Sequence, residues 1–74
     1  MDPNATWTWL LEALDAGNWK AVRRCANDLL DWLASDGFPP DTSGGRVNDS
    51  YSNRQLAYYA CKLAKVIARR RIRS

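Results

Sequence analysis

The residues best suited to chemistry lie in the last third of the chain, where Arg54, Tyr58, Lys62, Lys65 and Arg69 recur every three or four positions and Arg70, Arg71 and Arg73 follow. At about 100° per residue on a helix, the first five share an arc of roughly 80°. Such a row of cations can neutralise backbone phosphates, with Tyr58 supplying a ring to stack or a hydroxyl to hydrogen-bond. No side chain stands out to read base edges. Asn53 and Gln55 fall in the first helical turn, where Gln55 fits a capping role, so a nucleic-acid complex would be weakly selective in sequence. The same stripe has plainer uses: arginines in a last turn oppose the negative end of the helix dipole, and a charged face keeps a helix solvated.

Other reactive groups are scarce. The chain has no histidine and a single glutamate, Glu12, and Cys25 and Cys61 are far apart in sequence. A zinc site lacks its usual ligands, and a cysteine nucleophile lacks an imidazole base. Glu12 and Asp15, three residues apart on one polar face, read as solvating charges rather than an acid/base pair. Gly44-Gly45-Arg46 lacks the Lys-Ser/Thr and the strand–loop–helix setting of a phosphate loop. The expectation is a non-enzymatic protein without cofactor, metal or small-molecule substrate.

These residues must be positioned by very little chain. Seventy-four residues make a single small domain, over 1–74, whose core is marginal unless large side chains help, and Trp7, Trp9, Trp19 and Trp32 supply that help. Net charge is +3, yet residues 1–41 carry three Lys/Arg against seven Asp/Glu while residues 42–74 carry eight against one. Either the halves offset each other within the fold or the basic end serves an acidic partner. Cys25 and Cys61 fall on apolar helical arcs, as small hydrophobes in a reducing compartment do. No basic leader or long apolar run is evident, so a cytoplasmic address is expected and a membrane is not. The glycosylation patterns at Asn4-Ala5-Thr6 and Asn48-Asp49-Ser50 are then chance matches.

Apolar periodicity predicts an all-α fold: an antiparallel helical hairpin plus a third helix, a small three-helix bundle. Helix one spans about 4–16, opened by Asp2 to Asn4 with Pro3 and closed by Gly17. Helix two spans about 19–35 behind an Asn18 cap. It ends at Gly37 in a left-handed conformation, with Phe38 folding back on Leu33 or Trp32 and Pro39-Pro40 barring continuation. A flexible connector, about 37–51, leads to helix three at about 53–70. Ser52 and Gln55 have capping-box spacing there, and Tyr51 and Leu56 that of a hydrophobic staple. Leu56, Ala60, Leu63, Ala64 and Ile67 form its expected inward face, so Leu63→Asp is expected to unfold the domain or detach helix three. Amide exchange is expected to be fast from Thr42 to Asp49.

The run Ala13-Leu14-Asp15-Ala16-Gly17-Asn18-Trp19-Lys20-Ala21-Val22 resembles the turn of a tetratricopeptide helix pair. More broadly, Asp15 to Pro40, with Leu30-Asp31-Trp32-Leu33 and Asp36-Gly37-Phe38-Pro39-Pro40, is similar to short uncharacterised bacterial and phage helical proteins. That resemblance implies a fold and a compartment, and no activity. For function, the apolar arcs are about 220° wide, beyond the stripe of a little over 100° that a surface helix needs, so something must cover the excess. Trp7 and Trp9 point about 160° apart, which leaves one at an exposed edge as a contact for a protein partner or a second copy. A protein-interaction or self-association module is therefore the leading expectation. Nucleic-acid binding through the basic face of helix three is the alternative.

Overall fold

The computed structural model describes residues 1–73, and among them all regular structure is helical: α1 (Pro3–Ala16), α2 (Trp19–Ala34) and α3 (Ser50–Arg73). Local signals set the first two. The Asp2 carboxylate accepts from the N–H groups of Asn4 and Ala5, at 3.0 and 3.4 Å, and Pro3 occupies the first helical position. Gly17 ends α1 at φ 68°, the left-handed conformation a residue without Cβ adopts at least cost. Asn18 then accepts from the Ala21 N–H and starts α2.

Three boundaries differ from the sequence reading, one of them the end of α3, which runs on to Arg73 rather than stopping at about 70. At the end of α2 the left-handed residue is Asp36, at φ 63°, not Gly37. Gly37 is required for a different reason: a Cβ there would run into the Trp32 indole. That indole donates to the Phe38 carbonyl (2.8 Å), and the Phe38 ring stands edge-on to it, centroids 5.7 Å apart. α3 begins at Ser50, capped by Asp49 rather than Ser52. The Asp49 carboxylate accepts from the Tyr51 N–H (3.0 Å) and the Ser52 hydroxyl (2.6 Å). Aspartate combines the capping hydrogen bond with a negative charge at the positive helix end, so it wins over the serine inside the first turn.

Packing centres on α2, which contacts both other helices, whereas no described Cα of α1 comes within 8 Å of one in α3. Leu10 and Ala13 of α1, Val22, Cys25, Ala26 and Leu29 of α2, and Cys61, Ala64 and Ala68 of α3 form the buried cluster. Trp7, Leu14 and Trp19 pack against its edge. The molecule measures 38 × 23 × 19 Å, and its long axis matches the length of α3, about 36 Å at 1.5 Å per residue.

The connector, read from sequence as flexible, is instead stitched down at several points. Pro40 is fully buried. The Asp41 N–H donates to Asn4 Oδ1 (2.7 Å), and Thr42 donates through both its N–H (3.1 Å) and its hydroxyl (2.7 Å) to Asn53 Oδ1. Asn53 Nδ2 donates back to the Val47 carbonyl (3.0 Å), and the Val47 N–H donates to the Ser43 hydroxyl (2.7 Å). Its polar residues therefore find protein partners. Gly44 and Gly45, both at positive φ with open space where a Cβ would stand, form the tip of the loop, and their backbone N–H groups turn towards the Asp41 carboxylate.

Candidate interaction face on the third helix

Two polar anchors at its start fix the rotation of α3. Asn53 is buried and holds the connector, while the Arg54 guanidinium donates to the Leu33 carbonyl (2.8 Å) and the Gly37 carbonyl (2.7 Å) at the end of α2. Carbonyls left over at a helix end need donors, and a cation there also meets the negative end of the dipole. On a helical wheel Asn53 and Arg54 straddle the row Ala57, Cys61, Ala64 and Ala68 by roughly equal angles. That row of small residues faces α2 and is buried.

The expected inward face is thus turned by roughly 75° from the one observed. Ala64 is buried as expected, but Leu56 is 51% exposed and Leu63 61%. Small side chains let the α3 backbone approach α2, whose Val22 and Leu29 already supply bulk to the shared buried cluster; two rows of leucines would overfill the gap. A row missed by the sequence reading is consequently left outward: Leu56, Tyr59 (65% exposed), Leu63 and Val66 (47% exposed). Its signal was present in the 3-4-3 spacing, which keeps side chains in one arc of roughly 80°.

Cations border this row. Lys62, Arg69, Arg70, Arg71 and Arg73 are exposed, while Lys65 is half-buried. The Lys62 ammonium lies 5.4 Å from the centre of the Tyr58 ring, which meets Tyr59 edge-on at 5.1 Å. The Arg71 guanidinium lies 5.5 Å from the Trp19 ring centre. Arg54, committed to the carbonyls of α2, leaves the outward stripe. Among the described residues no carboxylate pairs with Lys62, Lys65, Arg69 or Arg73, so the acidic first half does not tie these side chains down. The other sequence-marked pair separates: Trp7 is half-buried against the core and Trp9 is 60% exposed.

Elsewhere the chemistry is quiet. A shallow groove of about 230 Å³ between α2 and α3 is lined by Leu30, Leu33, Ala34, Arg54, Gln55 and Tyr58. Cys25 and Cys61 are buried free thiols. Burial first, then the nearby Cys25, pushes the Cys61 thiol up to about 11, and burial likewise raises Cys25. Such thiols are poor nucleophiles near neutral pH. Among the described residues no three His, Cys, Asp or Glu side chains converge as a metal site, and no helix is long and apolar enough to cross a membrane. No family model, curated protein sequence or solved structure matches the chain.

Proposed function

We propose that this chain is a non-enzymatic interaction module that offers the outward face of α3 to another protein surface. The observation that supports this reading is the row Leu56, Tyr59, Leu63 and Val66, each about half exposed or more on a helix whose opposite side is fully committed to α2. A contiguous apolar strip rimmed by charge is the usual form of a recognition site. The arrangement we propose to carry it is a small three-helix bundle in which α1 and α2 form an antiparallel hairpin and α3 lies against α2. A cytoplasmic location belongs to the same proposal, supported by the unpaired thiols of Cys25 and Cys61.

Site-specific photo-crosslinking in the producing cells tests it. A photoreactive residue at Tyr59 should yield protein adducts, whereas one at Arg23, exposed on α2, should not. Equal yields, or none from Tyr59, would refute the proposal.

Nucleic-acid binding remains the second reading, supported by Lys62, Lys65, Arg69 and Arg73, which meet no carboxylate among the described residues. If it holds, a mobility shift on an arbitrary duplex should weaken steeply with salt. Replacing Lys62, Lys65 and Arg69 with Gln should then lower the slope of log affinity against log salt by about 2–3. No shift at low salt removes this reading.

A further inference from the structure

We infer that the occupant of this face is a second copy of the same chain, its α3 lying antiparallel across the first and packed through Leu56, Tyr59, Leu63 and Val66. The inference rests on the interaction-module reading and names its partner. The gaps of three, four and three residues along the row match the seam of a two-helix coiled coil, in which alternate positions interdigitate with a facing helix. That seam lies on a wheel roughly 140° away from the buried row, so a second helix can dock without displacing α2.

Charge selects the orientation. α3 contains no Asp or Glu, and four of its five arginines cluster in the last turns at Arg69, Arg70, Arg71 and Arg73. Side by side in parallel, two copies would stack these clusters, place Arg70 on Arg70 within the seam and align the helix dipoles unfavourably. An antiparallel pair with its two-fold axis beside residue 61 avoids all three. Leu56 then meets Val66 of the second copy and Tyr59 meets Leu63, each contact made twice by symmetry. Continuing outward, Ser52 stands opposite Arg70, and Asp49, the anionic cap, stands opposite Arg73. The arginine-bearing C-terminal ends thus meet the N-terminal turns carrying Asp49. One like-charge pair remains, Lys62 with its own counterpart on the rim, and that ammonium already leans over the Tyr58 ring.

Covering the exposed parts of these side chains and their neighbours removes on the order of 500 Å² from each copy, or about 1,000 Å² in all, the low end for a specific interface. The dimer is accordingly reversible, with dissociation in the micromolar range or weaker.

Sedimentation equilibrium of the full chain from micromolar to millimolar concentration tests this, together with orientation-specific cross-links. The wild type should pass from monomer to dimer, and added salt should preserve or favour the dimer, because the seam is apolar and the net charge of each copy is positive. Leu63→Asp should weaken association by at least about 100-fold, since both copies carry the charge into the seam, while circular dichroism stays native. A mixture of Leu56→Cys and Val66→Cys chains should form a mixed disulfide dimer in far higher yield than either chain alone. A wild type that stays monomeric at millimolar concentration, whether or not it binds another protein, a duplex or anionic vesicles, overturns the inference. So does a Leu63→Asp variant that still dimerises, or a Leu56→Cys chain that cross-links best to itself. Photo-adducts of Tyr59 with a different protein would overturn the second-copy inference while leaving the interaction module standing; adducts with nothing would remove both.

Discussion

Asn53→Ala should cost this protein a large part of its stability, although the side chain is neutral and lies in the first turn of a helix. Its carbonyl oxygen accepts from the Thr42 N–H and hydroxyl, and its amide donates to the Val47 carbonyl. Truncation leaves those three groups, all in part-buried positions, without their partner. Each hydrogen bond contributes roughly 0.5–1.5 kcal/mol net, and more when the abandoned partner stays dry. Allowing water to reach the Val47 carbonyl, the loss comes to about 2–3 kcal/mol. A domain of this length holds roughly 4–11 kcal/mol in total. At roughly 4–8 °C per kcal/mol, the melting temperature should fall by about 10–20 °C. Thermal denaturation followed by circular dichroism reads the shift, and amide exchange at Thr42 reads the local cause. Asn53→Asp, which keeps the acceptor and loses the donor to Val47, should fall between variant and wild type. A melting temperature within about 3 °C of wild type, with Thr42 exchange unchanged, would refute the view that this side chain fastens the connector to α3.

Neighbouring residues on α3 should respond in opposite ways: Leu63→Asp should change monomer stability by about 0.5–1 kcal/mol or less, whereas Ala64→Leu should cost about 1–3 kcal/mol by overpacking against α2. Chemical denaturation of dilute protein distinguishes them, and equal losses would mean the wrong face had been assigned. The Asp41 carboxyl is held below its ordinary range by backbone donors from Gly45 and Ser43, and Asp49 by the Ser52 hydroxyl and the Tyr51 N–H. A depressed folded value means that their stabilisation is present above the ordinary Asp range and is lost as pH falls through the folded values. Melts should therefore weaken on acidification below about pH 4, and less so in Asp49→Asn. A raised value acts in the opposite sense for Cys61: stability holds below about pH 9 and declines as pH climbs from the ordinary thiol value, 9.0, towards about 11. Near pH 8 an exchange reagent should label Cys61 only as fast as the chain opens, and rapid labelling of folded protein would contradict its burial.

The helices were legible in the sequence because each carries local signals: Asp2-Pro3, Gly17-Asn18 and the prolines after α2 act within a few residues of where they stand. The rotation of α3 was not legible, because Ala57, Cys61, Ala64 and Ala68 and the larger row beside them both satisfy a helical period. What decides between them is contact over distance, from Asn53 to Thr42 and Val47 and from Arg54 to the end of α2. Arg54 shows the same difficulty, for in sequence it continues the cationic stripe. The connector was misjudged since Thr, Ser, Asp and Asn between glycines read as solvent-loving, whereas four of them hold side-chain hydrogen bonds across the fold or within the loop. Of the two tryptophans marked for a partner, the spacing correctly separated an exposed ring from a partly buried one, without saying which.

Backbone amide shifts recorded while the protein is diluted from millimolar to micromolar concentration test the outward face of α3 most directly. Movement should concentrate at Ser52, Leu56, Tyr59, Leu63, Val66 and Arg70, with α1, including Trp9, nearly still. Shifts centred on Trp9, or none anywhere across that range, would contradict self-association through α3.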